Sequence, residues 1–308
     1  METPILFLVF NRPSLTQRVF DEIKKAKPKK LFVAIDGPRQ GNINDQKNID
    51  EVLKMVSEIS WECEFNILKR EINLGCGVAI SNSLDWFFSN VEKGIILEDD
   101  CVPSQDFFFF CETMLEKYRN DSRIMAINGS NPLGQIQVDS SYFYSKYNFV
   151  WGWATWKRAW DLYEFDLNKE SNFQRRKNLL KSFKFDLVSV RSWYKHLDLV
   201  KNGKINTWDY QWMYTCWKNN GLIITPKSNL VRNIGNELDP THGVVDASYL
   251  NLKQIELKKP IISPNNFRRN LSIDKKIARY RFGNYFFYFL REKIFKITKD
   301  IFLKKTLN

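Results

Sequence analysis

The chain has 308 residues, of which 44% are hydrophobic and 15% aromatic, enough for one large domain or two small ones. Its five cysteines are scattered and never spaced as C-x-x-C, which argues against a disulfide framework and a zinc site and favours a reducing cytosol. The first apolar run, 5–10, is too short for a signal peptide or a membrane span. No stretch reaches about 18 uninterrupted apolar residues, so we predict no transmembrane helix.

The net charge of +12 is concentrated near the C-terminal end of the sequence. Residues 267–308 contain twelve Lys or Arg and three acids, a net charge of +9, which leaves +3 for residues 1–266. Apolar residues recur there at helical spacing between basic ones: Phe287, Leu290, Ile294, Ile297 and Ile301. Such a basic amphipathic helix is typical of a segment on an anionic membrane surface, but a helix docked on the protein body has the same pattern. A nucleic-acid binder is not favoured, because no recognisable fold motif for that role is present.

Strand and helix patterns alternate along the first third of the chain. Apolar runs at 5–10, 31–35, 65–68 and 95–97 predict strands, and the segments between them have the periodicity of helices, at 15–25, 45–60 and 78–89. Regular alternation of this kind predicts an α/β fold with a mostly parallel central sheet flanked by helices.

The fourth predicted strand ends in three consecutive acids, Glu98, Asp99 and Asp100. Three carboxylates held in one small volume repel one another, and a divalent cation with oxygen ligands is the simplest positive partner. The alternative is a strand that leaves the sheet into a solvated acidic turn.

Other polar residues also follow predicted strand ends: Arg12, Asp36 and Asn73. Ligands of open α/β sheets bind beyond the carboxyl ends of the strands. The sequence therefore predicts a binding site where these residues and the acidic triplet meet.

The second half of the chain is rich in aromatic residues between 142 and 160. Most of them are expected to form a core, but Trp151-Gly152-Trp153 places two indoles beside a glycine, where a sugar ring could stack. Further on, Asp209 lies in the first turn of a helix predicted to run to residue 219, with Asn206 or Thr207 as its cap. A carboxylate in that position is also explained by the helix dipole alone.

Taken in order, these motifs resemble those of GT-A-fold glycosyltransferases. The resemblance is to bacterial family-2-like sugar transferases and the related animal β-1,2-N-acetylglucosaminyltransferase of N-glycan processing. It covers roughly residues 4–245 and rests on these segments: Phe10-Asn11-Arg12, Asp36-Gly37, Asn73-Leu74-Gly75-Cys76-Gly77, Glu98-Asp99-Asp100, Trp151-Gly152-Trp153, Trp208-Asp209 and Asp239-Pro240-Thr241-His242.

The resemblance implies a donor site. Arg12 would contact the nucleotide diphosphate, and Asp36 would contact the base or ribose. The loop that contains Asn73 and Gly75 would lie along the donor, and Glu98 and Asp99 would contact sugar or ribose hydroxyls.

The resemblance also implies a metal site and a catalytic base. Asp100 and His242 would bind Mn²⁺ or Mg²⁺, and Asp209 would be the base. The segment reads Trp-Asp-Tyr-Gln-Trp, without the second acid of the family motif, and Gly235-Asn236-Glu237-Leu238 departs from the family's glycine-rich loop. The acceptor would contact Trp151, Gly152, Trp153 and Trp208.

Together these features lead us to expect a metal-dependent inverting glycosyltransferase with a UDP-linked nucleotide-diphosphate donor, for which UDP-GlcNAc is a candidate. The expected fold is a Rossmann-like GT-A domain over 1–265, with a donor half at 1–130, an acceptor half at 131–265 and a basic C-terminal helical extension at 266–308. The acceptor would be a glycan or lipid-linked glycan in cell-surface polysaccharide or lipopolysaccharide assembly, on the cytoplasmic face of the cell membrane. The alternatives are a non-catalytic carbohydrate-binding protein and a sugar-nucleotide-forming nucleotidylyltransferase, although the segment after the first strand, Phe10-Asn11-Arg12-Pro13, lacks the glycine-rich phosphate loop of the latter.

Overall fold

A computed structural model describes residues 1–184, 186–236 and 252–282 of the chain. The strands are β1 (Ile5–Val9), β2 (Lys30–Ile35), β3 (Glu64–Lys69), β4 (Lys93–Glu98), β5 (Cys101–Pro103), β6 (Ile124–Asn128), β7 (Tyr142–Ser145), β8 (Trp153–Trp156), β9 (Leu222–Pro226) and β10 (Val231–Asn233). The α-helices are α1 (Pro13–Ala26), α2 (Ile43–Ser57), α3 (Gly75–Asn90), α4 (Gln105–Lys117), α5 (Lys157–Trp160), α6 (Asn172–Ser182), α7 (Leu187–Lys201), α8 (Asp209–Lys218) and α9 (Leu271–Phe282).

The central sheet has eight strands in the order β3-β2-β1-β4-β8-β6-β9-β7. The first four are parallel to one another, and β6 and β9 form another parallel pair. Strand β8 runs antiparallel to β4 and β6, and β7 runs antiparallel to β9 at the edge. The predicted α/β class with a mostly parallel sheet flanked by helices is confirmed, and the two antiparallel strands come from the aromatic segment for which no strand was predicted.

The two faces of the sheet are covered by different helices. Along β1, Ile5, Phe7 and Val9 belong to one core with residues of α1, α2 and α4, whereas Leu6 and Leu8 belong to a second core with residues of α3 and α8. Successive side chains of a strand point to opposite faces, so a strand that is apolar throughout is buried on both sides. This arrangement leaves the strand ends as the exposed rims of the sheet.

A third core lies beside β7 and joins α6, α7 and α8 to the start of the C-terminal extension. Ile273 and Ile277 of α9 belong to this core, and the buried Asp274 carboxylate accepts hydrogen bonds from Ser145 and Arg269. The first part of the extension therefore docks on the protein body. The amphipathic pattern at 287–301 lies outside the described residues. Among the helices that are described, none combines the length and apolar character needed to cross a bilayer.

Candidate active site

The candidate site begins where β1, β2 and β4 end side by side. These strands are parallel neighbours, with Val9 paired to Ile35 and Leu8 paired to Glu98. Their carboxyl ends therefore share one rim of the sheet, and the chain leaves them toward Arg12, Asp36 and the acidic triplet. The predicted convergence of these three features is observed.

Arg12 stands at the N-cap of α1 and binds two of the three acids. Its Nε donates to Asp99 Oδ2 at 3.2 Å, and its Nη2 donates to Asp99 Oδ1 and, at 3.0 Å, to Asp100 Oδ2. Burial alone would lower the pKa of Arg12, but the charges of Asp99 and Asp100 outweigh burial and raise it. The guanidinium is thus a permanent positive charge within the acidic cluster.

Glu98 has a different environment from its two neighbours. In the described part of the chain, its carboxylate forms no hydrogen bond or ion pair. Burial, followed by the charges of Asp100 and Asp99, raises the pKa of Glu98 well above its usual range, and Asp209 adds to the effect. The cluster has more negative charge than Arg12 neutralises, so it is electrostatically suited to a further cation.

Asp36 holds the turn before α3 in place. Its Oδ1 accepts from the backbone N–H groups of Gly37 and Leu74, both at 3.0 Å, and its Oδ2 accepts from Asn73 Nδ2 and from Gly75 N, both at 3.1 Å. These four bonds use the acceptor positions of the carboxylate. Gly75 adopts a φ of +75°, which favours glycine. The observed role of Asp36 is therefore to shape the loop 73–77, and its contact with a nucleoside stays a prediction.

Asn206 joins this loop to the segment that contains Asp209. Its Oδ1 accepts from Gly77 N at 3.1 Å, and a Cβ atom on Gly77 would lie 2.4 Å from the same oxygen. The prediction that Asn206 or Thr207 caps α8 is wrong, because Trp208 occupies the N-cap without a side-chain cap bond. Instead Asn206 binds the start of α3, and the Thr207 hydroxyl donates to Asp209 Oδ1.

Cys76 lies among the carboxylates that the strand ends and α8 bring together. Burial raises the pKa of its thiol to about 12, with further contributions from Glu98, Asp209, Asp100 and Asp36. All four carboxylates therefore act electrostatically on one half-buried side chain, and Asp209 also contributes to the raised pKa of Glu98. Neither Cys76 nor Asn206 was predicted as a site residue, since nothing in their local sequence distinguishes them from loop residues.

The tryptophans require a correction. Trp153 is 0% exposed and Trp208 2% exposed, and their rings stack with centroids 5.6 Å apart. Neither ring offers a face to a sugar, so for these two residues core packing replaces the predicted acceptor contact. Gly152 adopts a φ of +63° and lies against Val231 and Leu97, while Trp151 is half-buried. Of the two indoles predicted to stack, only Trp151 keeps an accessible surface.

The carboxylates at this rim could hold a divalent cation whose remaining ligands are phosphate groups of a nucleotide. In the described part of the chain no three His, Cys, Asp or Glu side chains form a ready-made metal cluster. Mg²⁺ in nucleotide sites is typically held by one or two carboxylates together with substrate phosphates, and Glu98 and Asp100 supply that number. Gly235 lies against Asp100, since a Cβ atom there would be 2.6 Å from Asp100 Oδ2. His242 lies outside the described residues, so its role stays a prediction.

No family model matches the chain, and no curated protein matches it. Similar solved structures include UDP-glucose pyrophosphorylase in complex with UDP-glucose, with a TM-score of 0.38 and 10% identity over 74% of this chain and 90% of that one. The inositol-1-phosphate CTP transferase of T. maritima has a TM-score of 0.41 and 10% identity over 80% and 94%. A 4-diphosphocytidyl-2C-methyl-D-erythritol synthase from Anaerococcus prevotii has a TM-score of 0.34 and 11% identity over 52% and 73%. Likeness at this level concerns the fold alone and carries no argument about activity.

Proposed function

We propose that the protein is a metal-dependent inverting glycosyltransferase that moves a sugar from a nucleotide-diphosphate donor to a hydroxyl group of a glycan or glycolipid. The observation that supports this proposal is the meeting of Arg12 and the acidic triplet at one rim of the sheet, with Asp209 at the start of α8 near enough to raise the pKa of Glu98. Positive charge for a leaving diphosphate, from Arg12 and a bound divalent cation, and a carboxylate for an attacking hydroxyl are the two elements that such a transfer needs.

On the donor side, Arg12 would provide charge stabilisation. It is held by Asp99 and Asp100, so its position is fixed before a donor arrives, and no reorganisation is needed as negative charge develops on the leaving diphosphate. Asp100 would hold Mn²⁺ or Mg²⁺. Glu98, for which the resemblance implies contacts with sugar or ribose hydroxyls, would be the second carboxylate beside the cation. When bound, the cation would neutralise phosphate charge.

On the acceptor side, Asp209 would remove the proton from the attacking hydroxyl. Thr207 orients its carboxylate by donating to Oδ1, and the helix dipole of α8 stabilises the charge at this position. The thiol of Cys76, with a pKa of about 12, stays protonated at neutral pH and is not a nucleophile. One base without a protein nucleophile means direct displacement, with inversion at the anomeric carbon.

The second candidate is a nucleotidylyltransferase that forms a sugar nucleotide, the type of activity named for the similar solved structures. In this chain β1 is joined to α1 by only three residues, Phe10 to Arg12, and none is a glycine. A glycine-rich loop that wraps a triphosphate is therefore not present at this position, which favours the glycosyltransferase.

A thermal-shift screen of nucleotide sugars tests the donor site. We expect a UDP-sugar to raise the unfolding midpoint with Mn²⁺ and to have little effect in EDTA. Asp100→Ala should remove most of the metal-dependent shift, while Asp50→Ala on the outer side of α2 serves as the matched control. If Asp100→Ala kept the full shift, Asp100 would not be part of the metal site.

The acceptor and the location follow from the proposed chemistry and the tail. Acceptors on membrane lipids, as in cell-surface polysaccharide or lipopolysaccharide assembly, would be reached by a protein at the cytoplasmic face of the membrane. The basic C-terminal segment would be attracted to the anionic lipids of that face.

A further inference from the structure

Two basic segments that are distant in sequence form a single surface. The hairpin of α6 and α7, residues 172–201, contains eight Lys or Arg and two Asp, a net charge of +6. Residues 267–308 have a net charge of +9 out of a total of +12, so the remainder of the chain has a net charge of −3. The positive charge of the protein is therefore divided between this hairpin and the C-terminal segment.

The start of the C-terminal segment docks on the turn of the hairpin. Arg269 Nη1 donates to Ser182 O, in the last turn of α6, at 3.2 Å. Ile273 and Ile277 of α9 lie in one core with Leu179 of α6 and Val190 of α7. We call the outward side of this assembly the basic face: α6, α7 and α9 with the side chains that they expose.

The cations of the basic face point to solvent. Lys181 and Lys184 at the hairpin turn and Lys275, Lys276 and Arg279 on α9 are all exposed. None of these five forms an ion pair with an acid in the described part of the chain. These charges are thus not held in ion pairs, and with the exposed Asp186 as a nearby acid the face keeps an excess of positive charge that attracts anionic surfaces.

Exposed apolar side chains accompany these cations. Leu187 is 68% and Val188 57% exposed in the first turn of α7, and Leu271 is 42% exposed at the start of α9. Because Arg269 contacts the end of α6, both of these helix starts lie beside the same turn. Apolar side chains rimmed by cations are typical of segments that insert into the interface of an anionic bilayer.

We propose that the basic face docks on an anionic membrane surface, with Leu187 and Val188 entering the interface beneath the lysines. A dissolved polyanion such as a nucleic acid would use the cations alone and would gain nothing from the apolar pair. The proposal adds the α6–α7 hairpin to the C-terminal segment as a membrane contact, and it is independent of the reaction that the protein catalyses.

Vesicle co-sedimentation with the full-length protein tests the proposal. We expect binding to vesicles of phosphatidylcholine with phosphatidylglycerol, weak binding to phosphatidylcholine alone, and loss of binding as salt increases. Lys181→Gln with Lys184→Gln should weaken binding by about thirty-fold, since each surface charge contributes on the order of five-fold. Leu187→Ser with Val188→Ser should weaken it by about five-fold or more.

The matched control is Ile43→Ser, because Ile43 is 92% exposed on α2, which is not part of the basic face. This variant should bind vesicles like the wild type, and all variants should keep the wild-type unfolding midpoint because the substituted residues are exposed. If the Leu187/Val188 variant bound vesicles as tightly as the wild type, or if duplex DNA competed fully with vesicles for every variant, the face would be a general polyanion site and the proposal would be wrong.

Discussion

At the scale of single residues, the three consecutive acids have three different environments. Asp99 is buried and bound twice by Arg12, Asp100 shares that guanidinium while facing Gly235, and Glu98 has no cationic partner among the described residues. Burial, followed by the charges of Asp100 and Asp99, raises the pKa of Glu98 well above its usual range, although the charge of Arg12 acts to lower it. Perturbed carboxylates in a cleft are a feature of functional sites.

The proposed base gives the most direct test at this scale. Asp209→Asn removes the proton acceptor but keeps the size of the side chain and its bond to Thr207. We expect turnover of the donor to fall by roughly 10²–10⁴-fold, with donor affinity nearly unchanged. Steady-state rates and calorimetry measure the two quantities, and Asp50→Asn is the control. A variant with wild-type turnover would show that Asp209 is not the base.

Asp45 fixes the segment beside the site. Its carboxylate, at the start of α2, accepts from Asn11 Nδ2 at 2.7 Å and from Arg39 Nε and Nη2, both at 2.7 Å. It therefore ties the turn after β1, which contains Asn11 and Arg12, to the loop after β2. Hydrogen bonds from Arg39 lower the pKa of Asp45 from 3.8 to about 2, in spite of burial.

A pKa lowered by folding stabilises the protein above the unfolded value, and this stability is lost as the pH falls through the folded value. Asp45→Asn should therefore cost about 1–2 kcal/mol at neutral pH, and the difference from the wild type should shrink as the pH falls from 3.8 toward 2. Thermal unfolding over this range measures the effect. Asp50→Asn, on the solvent side of the same helix, should show no such dependence. A difference that stayed constant with pH would contradict the assigned ion pair.

At the scale of elements, the start of α3 is held from two sides. Asp36 accepts from Leu74 N and Gly75 N, and Asn206 accepts from Gly77 N. Residues 73–77 and the start of α8 therefore have a fixed relative position, which would set the distance between donor and base in the proposed reaction. Correct placement of reacting groups contributes several kcal/mol to catalysis.

Replacing Asn206 tests this coupling. Asn206→Ala should destabilise the protein by about 1 kcal/mol through the lost hydrogen bond. It should reduce kcat more than donor affinity, because Asp209 loses its fixed distance from the donor. Gly77→Ala should have the same effect by pushing Asn206 away. Asn202→Ala, at an exposed helix end, is the control. Equal kcat in the Asn206 variant and the control would contradict the positioning role.

The sequence predicts where strands and helices lie along the chain better than it predicts which strands pair in the sheet. The strands at 5–9, 30–35 and 93–98 are apolar runs with turn signals behind them, so their ends and the polar residues that follow were predictable. The insertion of β8 between β4 and β6 was not, since Ala154 pairs with both Ile95 and Ile127 and the local sequence of Ala154 specifies neither pairing. Likewise, the local sequence does not predict that Asn206 accepts a hydrogen bond from Gly77, which is 129 residues away.

The tryptophans are a second case in which the local sequence does not determine the role of a residue. Indoles suit both a core and a sugar site, and only the burial of Trp153 and Trp208 within the sheet and α8 distinguishes the two. This burial also weakens the case for a carbohydrate-binding protein without catalytic activity, since two of the indoles that suggested it are inaccessible. The acidic rim, in contrast, was predictable because carboxylates after a buried strand have few purely structural explanations.

At the scale of the whole molecule, the charges are segregated. The site at the strand ends is acidic, with Arg12 as its internal cation, whereas the Lys and Arg excess is on the α6–α7 hairpin and the C-terminal segment. An acidic site without a bound cation would repel a nucleotide diphosphate, so donor binding should depend strongly on divalent metal.

The identity of the nucleotide product tests the central claim most directly. The protein is incubated with the UDP-sugar found in the screen, Mn²⁺ and pyrophosphate, and the nucleotides are separated by ion-exchange chromatography. A glycosyltransferase breaks the bond between the sugar and the diphosphate, and without a glycan acceptor the sugar passes to water. We therefore predict slow release of UDP that does not require pyrophosphate and is lost in Asp209→Asn. Formation of UTP that depends on pyrophosphate would contradict the proposal and identify a nucleotidylyltransferase.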